Sequence, residues 1–205
     1  MRTVNRFFLI LLFSCGAALA HAADLDLENT LYMDLKDGRV VITMRPDLAP
    51  ETVERIKQLT RAGHYDGSPF HRVLPNFMAQ TGSNGKTGAP QSDLQNLPDE
   101  FNLDGGRSPR HWRGMVSMAN RTDPGTANSQ FFIVLLDKPH LDGKYTQWGE
   151  VVDGMRYVDR IKEGDEFEND GVVEDPDRII KMVVAADVEV ETPEVASEGL
   201  VSQPQ

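Results

Sequence analysis

The chain has 205 residues, enough for one domain with a sizeable core, and a net charge of −11. Acidity of that size argues against binding to a phosphate backbone, which needs clustered lysine and arginine. The only cysteine is Cys15, so an intrachain disulfide is excluded.

Arg2 and Arg6 precede the apolar run Phe7 to Phe13, and small residues then lead to Ala20-His21-Ala22. This is the three-part layout of a secretory signal peptide, residues 1–22, with cleavage expected after Ala22. The apolar run is shorter than the roughly 20 residues of a spanning helix, and no later run approaches that length. Stable membrane insertion is therefore not expected. Leu12-Phe13-Ser14-Cys15 loosely resembles a bacterial lipoprotein signal. Bulky Phe13 fits it poorly, which leaves lipidation of Cys15 as the lesser alternative. A short leader and no C-terminal Lys-Asp-Glu-Leu signal favour a periplasmic or secreted protein over one retained in the endoplasmic reticulum.

Leu31 to Leu35 alternates and meets a turn at Lys36-Asp37-Gly38, and Val40 to Met44 reads as the returning strand. Pro50 opens a helix with Val53, Ile56 and Leu59 on one face, closed by Gly63. Short strand-like runs follow at Phe70 to Leu74, Phe77 to Thr81, Gly114 to Ala119, Phe131 to Leu136 and Trp148 to Val152. Asp153 to Lys162 reads as a second helix with Met155, Val158 and Ile161 inward and Gly164 as its stop. Ile179 to Val190 supplies a last strand or two, and the polar tail 191–205 is expected to be disordered. Many short strands with two separated helices suggest a mainly β fold, a closed antiparallel barrel with a helix over each end. Residues 23–190 form its single domain.

Two segments carry the chemistry. One runs from Tyr65 through Phe70-His71-Arg72-Val73 to Phe77-Met78-Ala79-Gln80. The other is Arg113-Gly114-Met115-Val116-Ser117-Met118-Ala119-Asn120, continuing through Asn128-Ser129-Gln130-Phe131-Phe132-Ile133. Together they can form an apolar slot rimmed by amide donors and one fixed cation, the usual composition of a specific ligand pocket.

Both segments resemble the signature stretches of the cyclophilin family, and the similarity runs from about Leu31 to Val190. The resemblance implies an eight-stranded antiparallel barrel capped by two helices, and prolyl cis–trans isomerase activity with no cofactor and no metal. Rotation about an Xaa–Pro bond crosses a barrier of roughly 18–20 kcal/mol because amide resonance is lost midway. No bond breaks, so no nucleophile is needed. The prolyl nitrogen becomes pyramidal and gains a lone pair, which a guanidinium held beside it stabilises selectively.

The resemblance gives Arg72 this catalytic role. Phe77, Met78, Phe132 and Leu141 match the proline pocket, and Gln80 matches the residue that braces the arginine. Asn120 and the main chain at Ala119 match contacts to the extended peptide, with Gln130 nearby. His140 stands where many cyclophilins have tryptophan, and Tyr145 where histidine is common. Both border the pocket, so peptide preference is altered and cyclosporin binding is expected to be weakened. Thr81 and Ser83 replace a usual glycine and aspartate.

The partners implied are unfolded or partly folded proline-containing chains, with no nucleic acid, and the protein itself is expected to be a monomer. Other patterns are weaker. Glu166, Glu168, Asp170 and Gly171 faintly resemble a calcium loop, but the first and twelfth ligand types are wrong, and a solvated loop fits better. Asn120-Arg121-Thr122 matches a glycosylation acceptor, yet a glycan there would block the groove. His64 and His71 lack the partners of a zinc site. Two rival functions are a proline-peptide binding module with little turnover and a chaperone holdase. The second needs more exposed apolar surface than the composition offers.

Overall fold

The computed structural model describes residues 26–83, 92–101, 109–121 and 125–188. The leader 1–22 with Cys15, the tail 191–205 and Thr122 lie outside them, as does the end of the last expected strand. Among the described residues no helix is long and apolar enough to cross a membrane.

Period-2 alternation starts the sheet. Leu31, Met33 and Leu35 of β1 (Thr30–Leu35) are buried, as are Val40, Ile42 and Met44 of β2 (Gly38–Met44). Lys36 and Asp37 form the turn, because Leu35 pairs with Gly38. The helix α1 (Pro50–Arg61) buries Val53, Ile56 and Leu59 and packs against the last strand. Its N-cap, Ala49, has no side chain to satisfy the first amides. The carboxylate of Glu100 does so instead. It accepts from the main-chain N–H of Glu51 (3.0 Å) and Thr52 (2.9 Å) and from the Thr52 hydroxyl (2.6 Å). A negative group here also complements the helix dipole.

The remaining strands are β3 (Arg72–Leu74), β4 (Met78–Thr81), β5 (Met115–Met118), β6 (Phe131–Val134), β7 (Gln147–Asp153) and β8 (Lys181–Val184). All eight form one antiparallel sheet in the order β3-β4-β6-β5-β7-β2-β1-β8. Its interior holds Trp148, Phe131 and Tyr65, with Phe131 edge-on to both other rings at 5.4 and 5.5 Å. The sheet is curled, but the expectation of a closed barrel is too strong. The edge strands β3 and β8 do not pair. Only the segments leading into them meet, through Gly67 N–H to Ile179 O (2.8 Å), Ile179 N–H to Ser68 O (2.9 Å) and Phe70 N–H to Asp177 O (2.9 Å).

The second helix is also shorter than the pattern suggests. Strand β7 runs on through Asp153, and Gly154, at φ +89°, turns the chain. A Cβ at Gly154 would lie 2.5 Å from the Arg39 carbonyl oxygen, so only glycine fits. Helix α2 covers Met155–Val158, after which Arg160 and Ile161 bond three residues back, the tighter 3₁₀ pattern. Val158 and Ile161 stay buried, so the apolar face survives. A further single turn, α3 (Glu166–Asn169), forms within the acidic loop, capped by Asp165.

Replacing Glu100 with alanine strips the acceptor from two α1 amides. Urea denaturation of Glu100→Ala should show a loss of about 1–2 kcal/mol. An unchanged midpoint would remove Glu100 from the capping role.

Candidate active site

Strands β4 and β6 pair with Met78 opposite Val134 and Gln80 opposite Phe132. Because neighbours on a strand point to opposite faces, Ala79, Phe131 and Ile133 enter the main core while Met78, Phe132 and Val134 join a second cluster. Leu74, Met115 and Leu141 complete that cluster, with Phe77, Ala119 and Tyr145 packed half-buried against it.

This second cluster floors a cleft of about 110 Å³. Phe77, Met78, Phe132, Leu141 and Tyr145 supply apolar and aromatic walls, and Arg72, Gln80, Ala119 and Asn120 the polar rim. The Tyr145 ring stands edge-on to Phe132 at 5.4 Å and 89°. The Asn120 amide donates to the Lys144 carbonyl at 3.2 Å, which ties the rim after β5 to the wall beyond Leu141.

Two expected residues stand outside the lining. His140 is exposed, and its ring lies 6.0 Å from that of Phe77, outside the wall. Gln130 is buried and accepts from the Gln80 amide at 2.9 Å through its side-chain oxygen, while its main-chain carbonyl accepts from Ala119 N–H. It orients rim groups rather than lining the cleft.

The hold on Arg72 differs from the expected one. Gln80 lies directly opposite Arg72 in the β3–β4 ladder, yet its amide is engaged with Gln130. The guanidinium is held by Asp170, with Nε donating to the main-chain oxygen and Nη2 to Oδ1, each at 2.9 Å. Asp170 lies in the loop read as solvated surface. The Asp170-Gly171 pair marks a bend in the sequence, but nothing there points to a partner 98 positions away. Asp165, in the same loop, spends its carboxylate on the Phe167 and Glu168 amides. No group of three or more His, Cys, Asp or Glu among the described residues is arranged to hold a metal ion.

A second pair missed in the sequence supports the wall from behind. His111 is buried and stacks on Phe132 at 6.4 Å and 18°, with Tyr145 edge-on at 6.4 Å. Its Nδ1 lies 3.0 Å from Asp142 Oδ1, which also accepts the His111 main-chain N–H at 2.8 Å. The carboxylate acceptor places the proton on Nδ1 of the neutral ring. Burial pushes the His111 pKa down, with Asp142 opposing in part. Burial lowers His71 as well, and the Arg72 charge adds to it.

The curled antiparallel sheet is a fold shared with solved cyclophilins. The crystal structure of cyclophilin AquaCyp293 from Hirschia baltica matches with a TM-score of 0.70 at 25% identity, over 80% of this chain and 77% of that one. A cyclophilin type peptidyl-prolyl cis-trans isomerase from Cryptosporidium parvum, crystallised in the presence of the dipeptide Ala-Pro, gives 0.66 at 23% identity. That match covers 76% of this chain and 98% of the other. Residues 30–184 match the family model described as cyclophilin type peptidyl-prolyl cis-trans isomerase/CLD. A probable peptidyl-prolyl cis-trans isomerase of Brucella suis is 46% identical over 181 residues, 83% of this chain and 89% of that protein. The chain belongs to the cyclophilin-type peptidyl-prolyl cis-trans isomerases.

The depressed His111 pKa makes stability depend on pH in a definite sense. As pH falls from the ordinary 6.5 toward the lowered folded value, the unfolded chain takes up the proton first. The contribution of the neutral ring is thus whole above that window and lost as pH drops through it. His111→Gln should melt below the native protein at about pH 7.5, and the gap should narrow toward about pH 5.5. A gap that widens on acidification would contradict this assignment.

Proposed function

We propose that the cleft grips a prolyl ring while Arg72 stabilises the twisted amide, and that the clients are proline-containing segments of exported proteins. The observation that carries this is the guanidinium fixed at the rim of an apolar cleft. Phe77, Met78, Phe132 and Leu141 hold the ring and exclude water, which strengthens any hydrogen bond formed at the rim. Asn120 and the main chain at Ala119 hold the extended peptide on one side, so the other side turns. At the midpoint the prolyl nitrogen carries a lone pair that neither planar isomer offers. A donor placed there lowers the barrier without over-stabilising the ground state.

Rotation with no bond broken asks nothing of a nucleophile or a proton carrier, which fits a rim of one arginine and amides. The leader-like residues 1–22 support action after export, in the periplasm or outside the cell, where slow prolyl steps delay folding. His140, in place of the tryptophan of many relatives, weakens cyclosporin more than it weakens turnover, because it stands outside the cleft wall.

The test is isomerisation of a short Ala-Pro peptide by protein beginning at Ala23, against Arg72→Ala with the same folded fraction. A loss of at least about 100-fold, roughly 2.7 kcal/mol, is expected in the variant. Equal rates would discard the role of Arg72. Export is checked separately by N-terminal sequencing of the protein recovered outside the inner membrane, which should begin at Ala23.

A further inference from the structure

We infer that Asp170 is a positioning residue for the isomerase reaction, setting the plane and the free edge of the Arg72 guanidinium through its carboxylate. The inference rests on the reading of Arg72 given above. Strand β3 is three residues long and lies at the edge of the sheet, so its outer amides need partners. The segment after α3 provides them, with Val73 N–H donating to Gly171 O (2.8 Å) and Val173 N–H to His71 O (3.0 Å). Arg72 therefore lies between Gln80 on one side and Val172 on the other.

The bend that aims Asp170 at Arg72 is built into the backbone. Asp170 has φ +55° and Gly171 φ +77°. Aspartate tolerates the left-handed region, and a Cβ at Gly171 would lie 2.7 Å from the Leu74 side chain. Asp165 secures the loop from the other end, its carbonyl accepting Gly171 N–H at 2.8 Å. Both acceptors of Asp170 thereby fall along one edge of the guanidinium. They occupy Nε and Nη2 and leave Nη1 with no protein hydrogen bond among the described residues.

A guanidinium is planar, so holding one edge fixes where the other points. The lone pair of a twisted amide is directional, and a misplacement of about 1 Å costs rate steeply. The two contacts are not equivalent. The main-chain carbonyl holds Nε whatever side chain follows, whereas the carboxylate is 79% exposed and open to screening by salt. So exposed a pair adds little to stability, and its effect belongs in turnover.

The experiment uses Asp170→Asn, because asparagine accepts the left-handed backbone and keeps the carbonyl while removing the charge. Native protein, Asp170→Asn, Arg72→Ala and the double variant are assayed on an uncharged Ala-Pro peptide at low salt and at about 1 M, where the Debye length is roughly 3 Å. At low salt Asp170→Asn should lower kcat about three- to fivefold with KM nearly unchanged, the mark of an interaction made in the transition state. Salt should bring the native rate down toward that of the variant and leave the variant flat. Melting temperatures should agree, and Asp170→Asn should cost nothing further once Arg72 is alanine. A variant equal to the native protein at low salt overturns the inference. So does a faster one, which would make Asp170 a competitor for the arginine, or an equal loss in the Arg72→Ala background. Native activity in Arg72→Ala would instead overturn the reading of Arg72, and the inference with it.

Discussion

A β-strand shows only every second residue to a given face, and strands β4 and β6 are locked in register so that their alternations coincide. That constraint makes one layer of protein serve two purposes. Phe131 goes inward to Trp148 and Tyr65, while Phe132, its neighbour, becomes a cleft wall. Ala79 fills the core where Gln80 reaches the rim. A slip of one residue would exchange these sets, placing a glutamine in the core and an aromatic ring in the wrong layer. Folding the core and building the cleft are the same event.

The edge of the sheet supplies the other requirement. A three-residue edge strand carrying Arg72 could not hold a long cationic side chain still on its own. Pairing its outer amides with residues 171–173 satisfies the backbone and delivers Asp170 to the guanidinium. From behind, the His111 ring, held by Asp142, packs against Phe132 and Tyr145, and burial of that ring favours its neutral form. The site combines a stiff apolar floor with one cation whose orientation comes from a loop.

Much of this was legible in the chain. Alternation at Leu31 to Leu35 and Val40 to Met44, with a turn between, gave the first hairpin because burial on one face leaves little choice of register. Pro50, the Val53-Ile56-Leu59 stripe and Gly63 bracketed α1. The motif around Arg72 and the run through Phe132 named seven of the nine residues that line the cleft, and the family resemblance added Leu141 and Tyr145. Illegible were the partners that depend on closure across the sheet. Glu100 caps a helix that starts 50 positions earlier, and Asp170 reaches back to Arg72 over 98. Nothing in local spacing distinguishes either from an ordinary surface carboxylate. The pattern Met155-Val158-Ile161 shows which side chains go inward, but both a full helix and a single turn with 3₁₀ continuation satisfy it.

By itself, the sequence determined which side chains face inward and which residue types reach the cleft. Those follow from strand periodicity and from motifs whose members are near one another in the chain. The tertiary structure decided how the sheet curls without a closing ladder, and which groups hold the arginine. Gln80, its neighbour across the ladder, turned instead to Gln130, and Asp170 took the guanidinium. The reason is geometric: a hydrogen bond needs an acceptor at about 2.9 Å along a set direction. Which acceptor meets that condition is settled only when distant segments have packed.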